Sequence, residues 1–220
     1  MVAQTNKQTN NHIYLIDSET GVRTEITKDI PGLHFHIDGS NNTIEILTPI
    51  GLYRNCTIYM EKCNGAHVRF ENNIYLKECF FSIYNGENQK CVIEKYTSFA
   101  GGAVINVHNN SSLHIGTDCM FSSNIVIWTS DGHSLFDAQT NKLLNHPQEC
   151  LRIGNHCWVG FGGKIFKGGG LADNSVLAGE SVLTKRFDEP NIVVAGNPAR
   201  MVRRDIGWSR LPPQEFQENN

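Results

Sequence analysis

Six aliphatic residues recur at an interval of six along one stretch of the chain. They are Ile153, Val159, Ile165, Leu171, Leu177 and Leu183, and a small residue follows each of the first five at the fourth position: Cys157, Gly163, Gly169, Ser175 and Ser181. An α-helix repeats its apolar face near 3.6 residues and a half-buried strand near 2, so neither explains a period of six. A repeat this short buries its apolar face only by stacking on its neighbours, as in a solenoid. We therefore predict triangular coils of three six-residue edges, in which the aliphatic residue points inward and the small residue turns the corner. This is the pattern of an all-β, left-handed parallel β-helix.

The remaining chain is interpreted as part of the same single domain, 1–220. Residues 13–92 contain short β-rich runs at irregular spacing and are expected to form imperfect N-terminal coils, beginning with a hairpin. Regular coils are expected over 93–188, and 189–220 is expected to form a short C-terminal extension in which 199–206 makes a helical turn. The polar residues 1–12 are expected to be disordered.

The periodicity is interrupted by residues 130–150, which carry Asp131, His133, Asp137 and His146. A long irregular segment inside a compact solenoid is usually functional or disordered. Because the faces of the coils are stacked, the segment must project from a corner. We therefore expect a projecting loop that forms the wall of a neighbouring surface.

Composition excludes several classes of function. The 220 residues have a net charge of −3, and no basic cluster indicates binding to nucleic acid. No run of eighteen apolar residues predicts a membrane span, and the polar N-terminus lacks the apolar core of a signal peptide, so a cytoplasmic location is expected. Seven cysteines without a Cys-x-x-Cys pair indicate small buried residues rather than a disulfide framework or a zinc site.

Four segments of the chain, 153–160, 172–175, 178–185 and 195–200, resemble the hexapeptide-repeat acyltransferases. The resemblance is strongest to the branch with galactoside acetyltransferase and the bacterial O-acetyltransferases of capsule, polysialic acid and lipopolysaccharide. Residues 129–137 are similar to the active-site loop of that branch. The resemblance implies a homotrimer that binds acetyl-CoA between two parallel β-helices, without a metal ion. It also implies O-acetylation of a carbohydrate, such as a cell-surface polysaccharide or its precursor.

Acetyl transfer from a thioester to a hydroxyl requires a base, and histidine can accept the proton at neutral pH. His133 is the candidate, since the catalytic histidine of the family maps to this position. Trp158 matches an active-site tryptophan of the polysaccharide branch, although it could be a packing residue. Asp131 or Asp137 could orient His133 or bind acceptor hydroxyls, and both could simply form turns. His146 is the only other histidine of the loop, and Pro147 beside it indicates a turn; a structural or substrate-binding role is the less favoured alternative, and little effect of its replacement is expected.

The donor carries phosphates, for which cationic side chains are expected at one end of its site. By motif match, Lys185, Arg200 and Arg203 are the candidates. Gly160, Phe161 and Gly179 would offer backbone groups to the pantetheine arm.

Three alternative functions differ in what they require. A γ-type carbonic anhydrase on the same fold needs two histidines five residues apart, and no such pair occurs among the nine histidines. A non-catalytic scaffold would need neither the His133 loop nor the basic end. An N-acetyltransferase that acts on a nucleotide amino sugar remains a closer rival.

Overall fold

The computed structural model describes residues 9–218, which contain 24 strands and one short helix. The strands of the N-terminal half are β1 (His12–Asp17), β2 (Arg23–Glu25), β3 (Leu33–Ser40), β4 (Thr43–Thr48), β5 (Leu52–Arg54), β6 (Cys56–Asn64), β7 (His67–Phe70), β8 (Tyr75–Lys77), β9 (Cys79–Glu87), β10 (Lys90–Ile93), β11 (Ser98–Gly101) and β12 (Ala103–His108). The C-terminal half contains β13 (Ser112–Ile115), β14 (Met120–Ser123), β15 (Val126–Trp128), β16 (Cys150–Ile153), β17 (Trp158–Val159), β18 (Lys164–Ile165), β19 (Gly170–Leu171), β20 (Val176–Leu177), β21 (Val182–Leu183), β22 (Arg186–Phe187), β23 (Val193–Gly196), β24 (Ala199–Arg203) and α1 (Pro213–Glu218).

Three parallel sheets form the three faces of a triangular prism. The nine-stranded face has the order β2-β1-β4-β7-β10-β13-β16-β19-β22, the eight-stranded face β24-β23-β20-β17-β14-β11-β8-β5, and the seven-stranded face β21-β18-β15-β12-β9-β6-β3. From β2 to β23, consecutive strands of the chain lie on different faces, and each coil adds one strand to each face; the terminal pairs β1/β2 and β23/β24 each share a face. This arrangement confirms the predicted left-handed parallel β-helix.

The period of six has the predicted structural origin. Ile153 pairs with Leu171, Val159 with Leu177, and Ile165 with Leu183, so equivalent positions lie one 18-residue coil apart on each face. All six aliphatic side chains are buried. The small residue after each edge is also buried, because the chain passes close to the next coil at the corner.

The early coils are longer and their corners less regular. Phe70 pairs with Ile93 and Ile93 with Ile115, which are separations of 23 and 22 residues rather than 18. The additional residues lie at corners where several asparagines adopt positive φ, a conformation that asparagine tolerates better than most residues. Larger coils hold larger side chains, and the rings of Phe99 and Phe121 stack 4.2 Å apart in the core. The predicted N-terminal hairpin is confirmed by the antiparallel pairing of β1 with β2.

The C-terminal extension differs from the prediction. The expected helical turn over 199–206 is wrong, because β24 pairs antiparallel with β23 and covers the end of the eight-stranded face. An unpaired strand edge favours such pairing over the local preference of the segment. Of the segment 1–12 that was predicted to be disordered, residues 1–8 lie outside the described residues. His12 belongs to β1. Within 9–218 no helix has the length and apolar character needed to cross a membrane.

Candidate active site

The interruption of the repeat forms a loop between β15 and β16, at the corner where the seven-stranded face passes into the nine-stranded face. Thr129 still bonds in register to Asn106, and the chain returns to register at Cys150. The tip of the loop is a small hairpin in which Phe136 and Leu143 form a bridge. The predicted projecting segment is therefore an ordered hairpin on a corner.

Asp137 forms the turn of this hairpin. Its Oδ1 accepts hydrogen bonds from the backbone N–H of Gln139 at 3.0 Å, and from the N–H and hydroxyl of Thr140 at 2.7 and 2.8 Å. The Thr140 donors, with that of Gln139, lower the pKa of the Asp137 carboxyl from its ordinary value. This geometry matches the turn-forming alternative for Asp137, and its role in binding an acceptor stays a prediction.

Asp131 anchors the base of the loop to the next coil. Its Oδ2 accepts from the Lys167 ammonium, and from Asn145 Nδ2 at 2.9 Å. Lys167 also donates to the carbonyls of Asn145 and His146 at 3.3 and 3.2 Å, and only 16% of its side chain is exposed. The hydrogen bond from Lys167 is the largest cause of the lowered pKa of Asp131. We refer to Asp131, Asn145 and Lys167 as the loop anchor.

The loop anchor determines the position of His133. Asn145 Nδ2 donates to the His133 carbonyl at 2.8 Å, and Asn145 Oδ1 accepts from the Leu135 N–H at 2.8 Å, so one amide holds the backbone at His133 and two residues after it. The His133 side chain is exposed, and within the described residues its imidazole makes no hydrogen bond or ion pair. Neither predicted carboxylate orients it inside a single chain. Both ring nitrogens are consequently available to a substrate.

Sequence reasoning missed Lys167 and gave Asn145 no role. Lys167 follows the inward-pointing Ile165 by two positions, where the sequence offers only an ordinary polar residue. Its partner Asp131 lies 36 positions earlier in the chain. The contact depends on the path of the loop, which the period of six does not predict.

Apart from the loop, a cleft of about 690 Å³ lies on the eight-stranded face. It brings together four of the predicted residues, Trp158, Gly160, Gly179 and Arg203, with Asp205 beside Arg203. Phe161 follows Gly160 and is exposed. Lys185 and Arg200 do not line this cleft: the Lys185 ammonium lies over the Phe187 ring, and Arg200 Nη1 bonds to the Ala199 carbonyl at 3.1 Å.

Glycine is required at position 160 by the stacking of the coils. A Cβ atom on Gly160 would lie 2.5 Å from the Gly179 nitrogen. The Gly160 N–H donates to the Leu177 carbonyl at 2.8 Å, and the Phe161 carbonyl accepts from the Glu180 N–H at 2.7 Å. These groups already belong to the ladder between coils. Within the described residues the N–H groups of Phe161 and Gly179 make no backbone hydrogen bond, which leaves them open to a ligand.

The C-terminal extension returns across this face and closes one side of the cleft. The Trp208 ring stacks on His156 at 4.1 Å, and its Nε1 donates to the His156 carbonyl at 2.7 Å. Arg210 then bonds to Asp118 at 2.9 Å and to the Cys119 carbonyl at 2.9 Å. Sequence reasoning did not identify Trp208, although a tryptophan in a polar C-terminal segment was a signal that this segment packs.

The cleft of the eight-stranded face and the hollows beside the loop have no lining residue in common. His133 lies beside hollows formed with Asn109, Ser130 and Lys167, whereas Trp158 belongs to the cleft of the eight-stranded face. A single chain therefore does not unite the two predicted catalytic residues. Across the described part of the chain, no three His, Cys, Asp or Glu side chains come together as a group of metal ligands.

Comparison with known proteins identifies relatives that match most of the chain. A polysialic acid O-acetyltransferase of Neisseria meningitidis is 31% identical over 203 residues, which span 81% of this chain and 91% of that protein. A polysialic acid O-acetyltransferase of Escherichia coli O1:K1 is 30% identical over 151 residues, or 68% of this chain, and the match spans only 47% of that protein. No family model matches the sequence.

Solved structures agree on the fold. The crystal structure of a polysialic acid O-acetyltransferase superposes with a TM-score of 0.56 at 21% identity, over 94% of this chain and 96% of that one. At this level of identity the superposition supports the architecture alone. The sequence match along nearly the full length of the meningococcal relative supports the family. The chain belongs to the hexapeptide-repeat O-acetyltransferases, the family that includes the polysialic acid O-acetyltransferases.

Proposed function

We propose that the protein transfers an acetyl group from acetyl-CoA to a hydroxyl of a carbohydrate, with His133 as the general base. The observation that carries the proposal is the state of His133. Its imidazole is exposed and unpaired within the described residues, yet its own carbonyl and the Leu135 N–H two residues later are held by Asn145. A base must have a free nitrogen and a defined position, and His133 combines an unpaired imidazole with a backbone that is held in place.

The reaction requires one proton to move from the acceptor hydroxyl to His133 and then to the leaving thiolate. A ring nitrogen of His133 takes the proton of the acceptor hydroxyl as its oxygen attacks the thioester carbonyl carbon. The tetrahedral intermediate then collapses, the carbon–sulfur bond breaks, and the imidazolium returns the proton to the leaving thiolate. The products are the O-acetyl ester and coenzyme A, and His133 is neutral again.

The cleft on the eight-stranded face is suited to the donor. Its lining is mostly apolar, and the Arg203 guanidinium in that lining can pair with a phosphate. The unpaired N–H groups of Phe161 and Gly179 can bond to the amide carbonyls of a pantetheine arm. Trp158 lies in the same cleft, where it would contact the donor near its reactive end.

A second copy of the chain would complete the site. His133 and the Trp158 cleft are separate in one chain, so the loop of one subunit would meet the donor bound to its neighbour. A homotrimer of parallel β-helices satisfies this requirement, and light scattering that found only monomers at micromolar concentration would contradict it. Use of acetyl-CoA favours the cytoplasm, and six of the seven free cysteines are buried thiols, as expected in a reducing compartment.

The direct test is consumption of acetyl-CoA in parallel reactions with polysaccharides, free sugars and nucleotide amino sugars. The proposal predicts release of coenzyme A with a hydroxyl acceptor and an alkali-labile ester in the product. An alkali-stable amide formed only with the amino sugar would instead support the N-acetyltransferase alternative. No turnover with any acceptor would favour the scaffold.

A further inference from the structure

Three adjoining hollows run along the corner between the seven-stranded and nine-stranded faces and end at His133. Their volumes are about 540, 500 and 130 Å³. The first two share Asn85 and Asn109, and the last two share Asn109, Ser130 and His133. The hollows therefore form one continuous groove, which we call the corner track. It spans the four strands β6, β9, β12 and β15, or about 14 Å at the usual strand spacing.

One side of the corner track is aromatic. The rings of Tyr84 and His108 lie 5.6 Å apart, and those of His108 and Trp128 lie 6.2 Å apart, each from the next coil. Trp128 is 42% exposed, although the large side chain of tryptophan is usually mostly buried. In this aromatic ladder Tyr84 and His108 meet edge to face at 62°, and His108 and Trp128 are tilted by 32°. An exposed ring in a groove can contact the C–H face of a sugar ring.

The floor of the corner track consists of amides and hydroxyls. Asn85 Nδ2 donates to Asn109 Oδ1 at 3.0 Å, and Asn109 Nδ2 donates to Ser130 Oγ at 3.1 Å. Each asparagine offers both donors and acceptors, and these bonds use only part of that capacity. Groups of this kind suit sugar hydroxyls, which also donate and accept.

The charged side chains that line the corner track give it no net charge. Its lining contains two cations, Lys62 and Lys167, and two anions, Glu87 and Asp131. Lys167 is paired with Asp131 in the loop anchor. The Lys62 ammonium lies 3.8 Å from the Glu61 carboxylate, donates to the Tyr84 hydroxyl at 3.3 Å and lies 5.4 Å from the centre of the Tyr84 ring. Burial lowers the pKa of His108, which keeps this imidazole neutral at pH 7.

We propose that the corner track binds the acceptor as an extended, uncharged glycan and delivers its hydroxyl to His133. This inference rests on the proposed function and specifies its substrate. Polysialic acid, the acceptor in the names of two relatives, carries a carboxylate on every sugar, and a groove for a polyanion needs an excess of cations. The corner track has aromatic and amide contacts without that excess. Its features match a neutral polymer.

The test measures acetyl transfer at saturating acetyl-CoA to dextran, galactan and mannan as neutral polymers, and to polysialic acid and hyaluronate as polyanions. We expect a neutral polymer to be preferred, with a rate that is insensitive to added salt. Tyr84→Ala and Trp128→Ala should each raise the KM for that polymer about ten- to a hundredfold, as loss of a stacking contact does for other ligands. The KM for acetyl-CoA should not change. Tyr96→Ala is the matched control, because this exposed tyrosine lies outside the track.

The outcomes separate this inference from the proposed function. Preferred transfer to a polyanion, at a rate that falls as salt rises, would overturn the inference and leave the O-acetyltransferase intact. An unchanged KM for the polymer in both Tyr84→Ala and Trp128→Ala would also overturn the inference and leave the proposed O-acetyltransferase function intact. Dissociation of the variants into smaller species in light scattering would show that the aromatic ladder is a subunit contact, which would also overturn the inference. Transfer to no carbohydrate would overturn both proposals.

Discussion

Replacing Lys167 by methionine tests whether the loop anchor positions His133. The substitution keeps the aliphatic stem and removes the ammonium, which bonds to Asp131 and to the carbonyls of Asn145 and His146. The Asp131 side chain is 42% exposed, so the ion pair contributes only about 0.5 kcal/mol. Two bonds from a largely buried ammonium to carbonyls add about 1.5 kcal/mol. We therefore expect the loop to be less stable by about 2 kcal/mol.

A loss of this size should be visible in hydrogen exchange. Opening of the loop becomes about 30-fold more frequent, since 1.4 kcal/mol corresponds to a factor of ten. The amides of Leu135 and Leu144, which bond to Asn145 Oδ1 and to the Leu135 carbonyl, should exchange faster by that factor. Turnover should fall about ten- to thirtyfold, because a misplaced base loses its alignment with the acceptor. The global unfolding transition should change little.

Lys142→Met is the matched control. Lys142 lies in the same loop, and within the described residues its side chain forms no hydrogen bond or ion pair. Combining Lys167→Met with Asp131→Asn should cost less than the two separate effects together, because both break the same contact. Unchanged exchange over 130–149, with turnover equal to that of the control, would refute the role of the anchor.

Three further predictions concern the donor cleft, pH and the core. Arg203→Ala should raise the KM for acetyl-CoA about tenfold with little change in turnover, whereas Arg204→Ala, outside the cleft, should not. Lys167 lowers the pKa of Asp131 in the folded state, so the loop anchor should be intact above about pH 4, near the ordinary pKa of a carboxyl group, and should weaken as the pH falls below it. Hydrogen exchange of the loop at about pH 3 and about pH 6, corrected for intrinsic exchange rates, measures this change. Phe121→Ala should lower the free energy of unfolding by about 3–5 kcal/mol in denaturant titration, since its buried ring leaves a cavity between coils.

The regular coils could be predicted because one residue in six decides them. Ile153 and Leu171 occupy equivalent positions on one face, and a single aliphatic side chain at each edge suffices to fill the narrow prism. The position of the loop followed from the same rule, since the interruption of the period marks the corner from which the chain departs. His133 and His146 both lie inside that interruption, and the family resemblance distinguished His133 as the candidate base.

The remaining features depend on contacts between residues that are distant in sequence. Asp131 serves as an anchor because Lys167 lies beneath it in the next coil, and no local pattern indicates that contact. Trp208 reaches His156 only after the chain has turned back across the eight-stranded face. Residues 199–203 form a strand because β23 offers an open edge, and this tertiary pairing overrides the local preference.

The central claim is that His133 is the general base of O-acetyl transfer, and its replacement by alanine is the most direct test. Steady-state kinetics of His133→Ala should show turnover lower by about 10²–10⁴-fold, the usual contribution of a general base, with unchanged affinity for acetyl-CoA. The fold should be intact, because the side chain is exposed on a projecting loop. His146→Ala, in the same loop, should retain nearly full turnover. Turnover of His133→Ala above about a tenth of the wild-type value would place the base elsewhere and contradict the account.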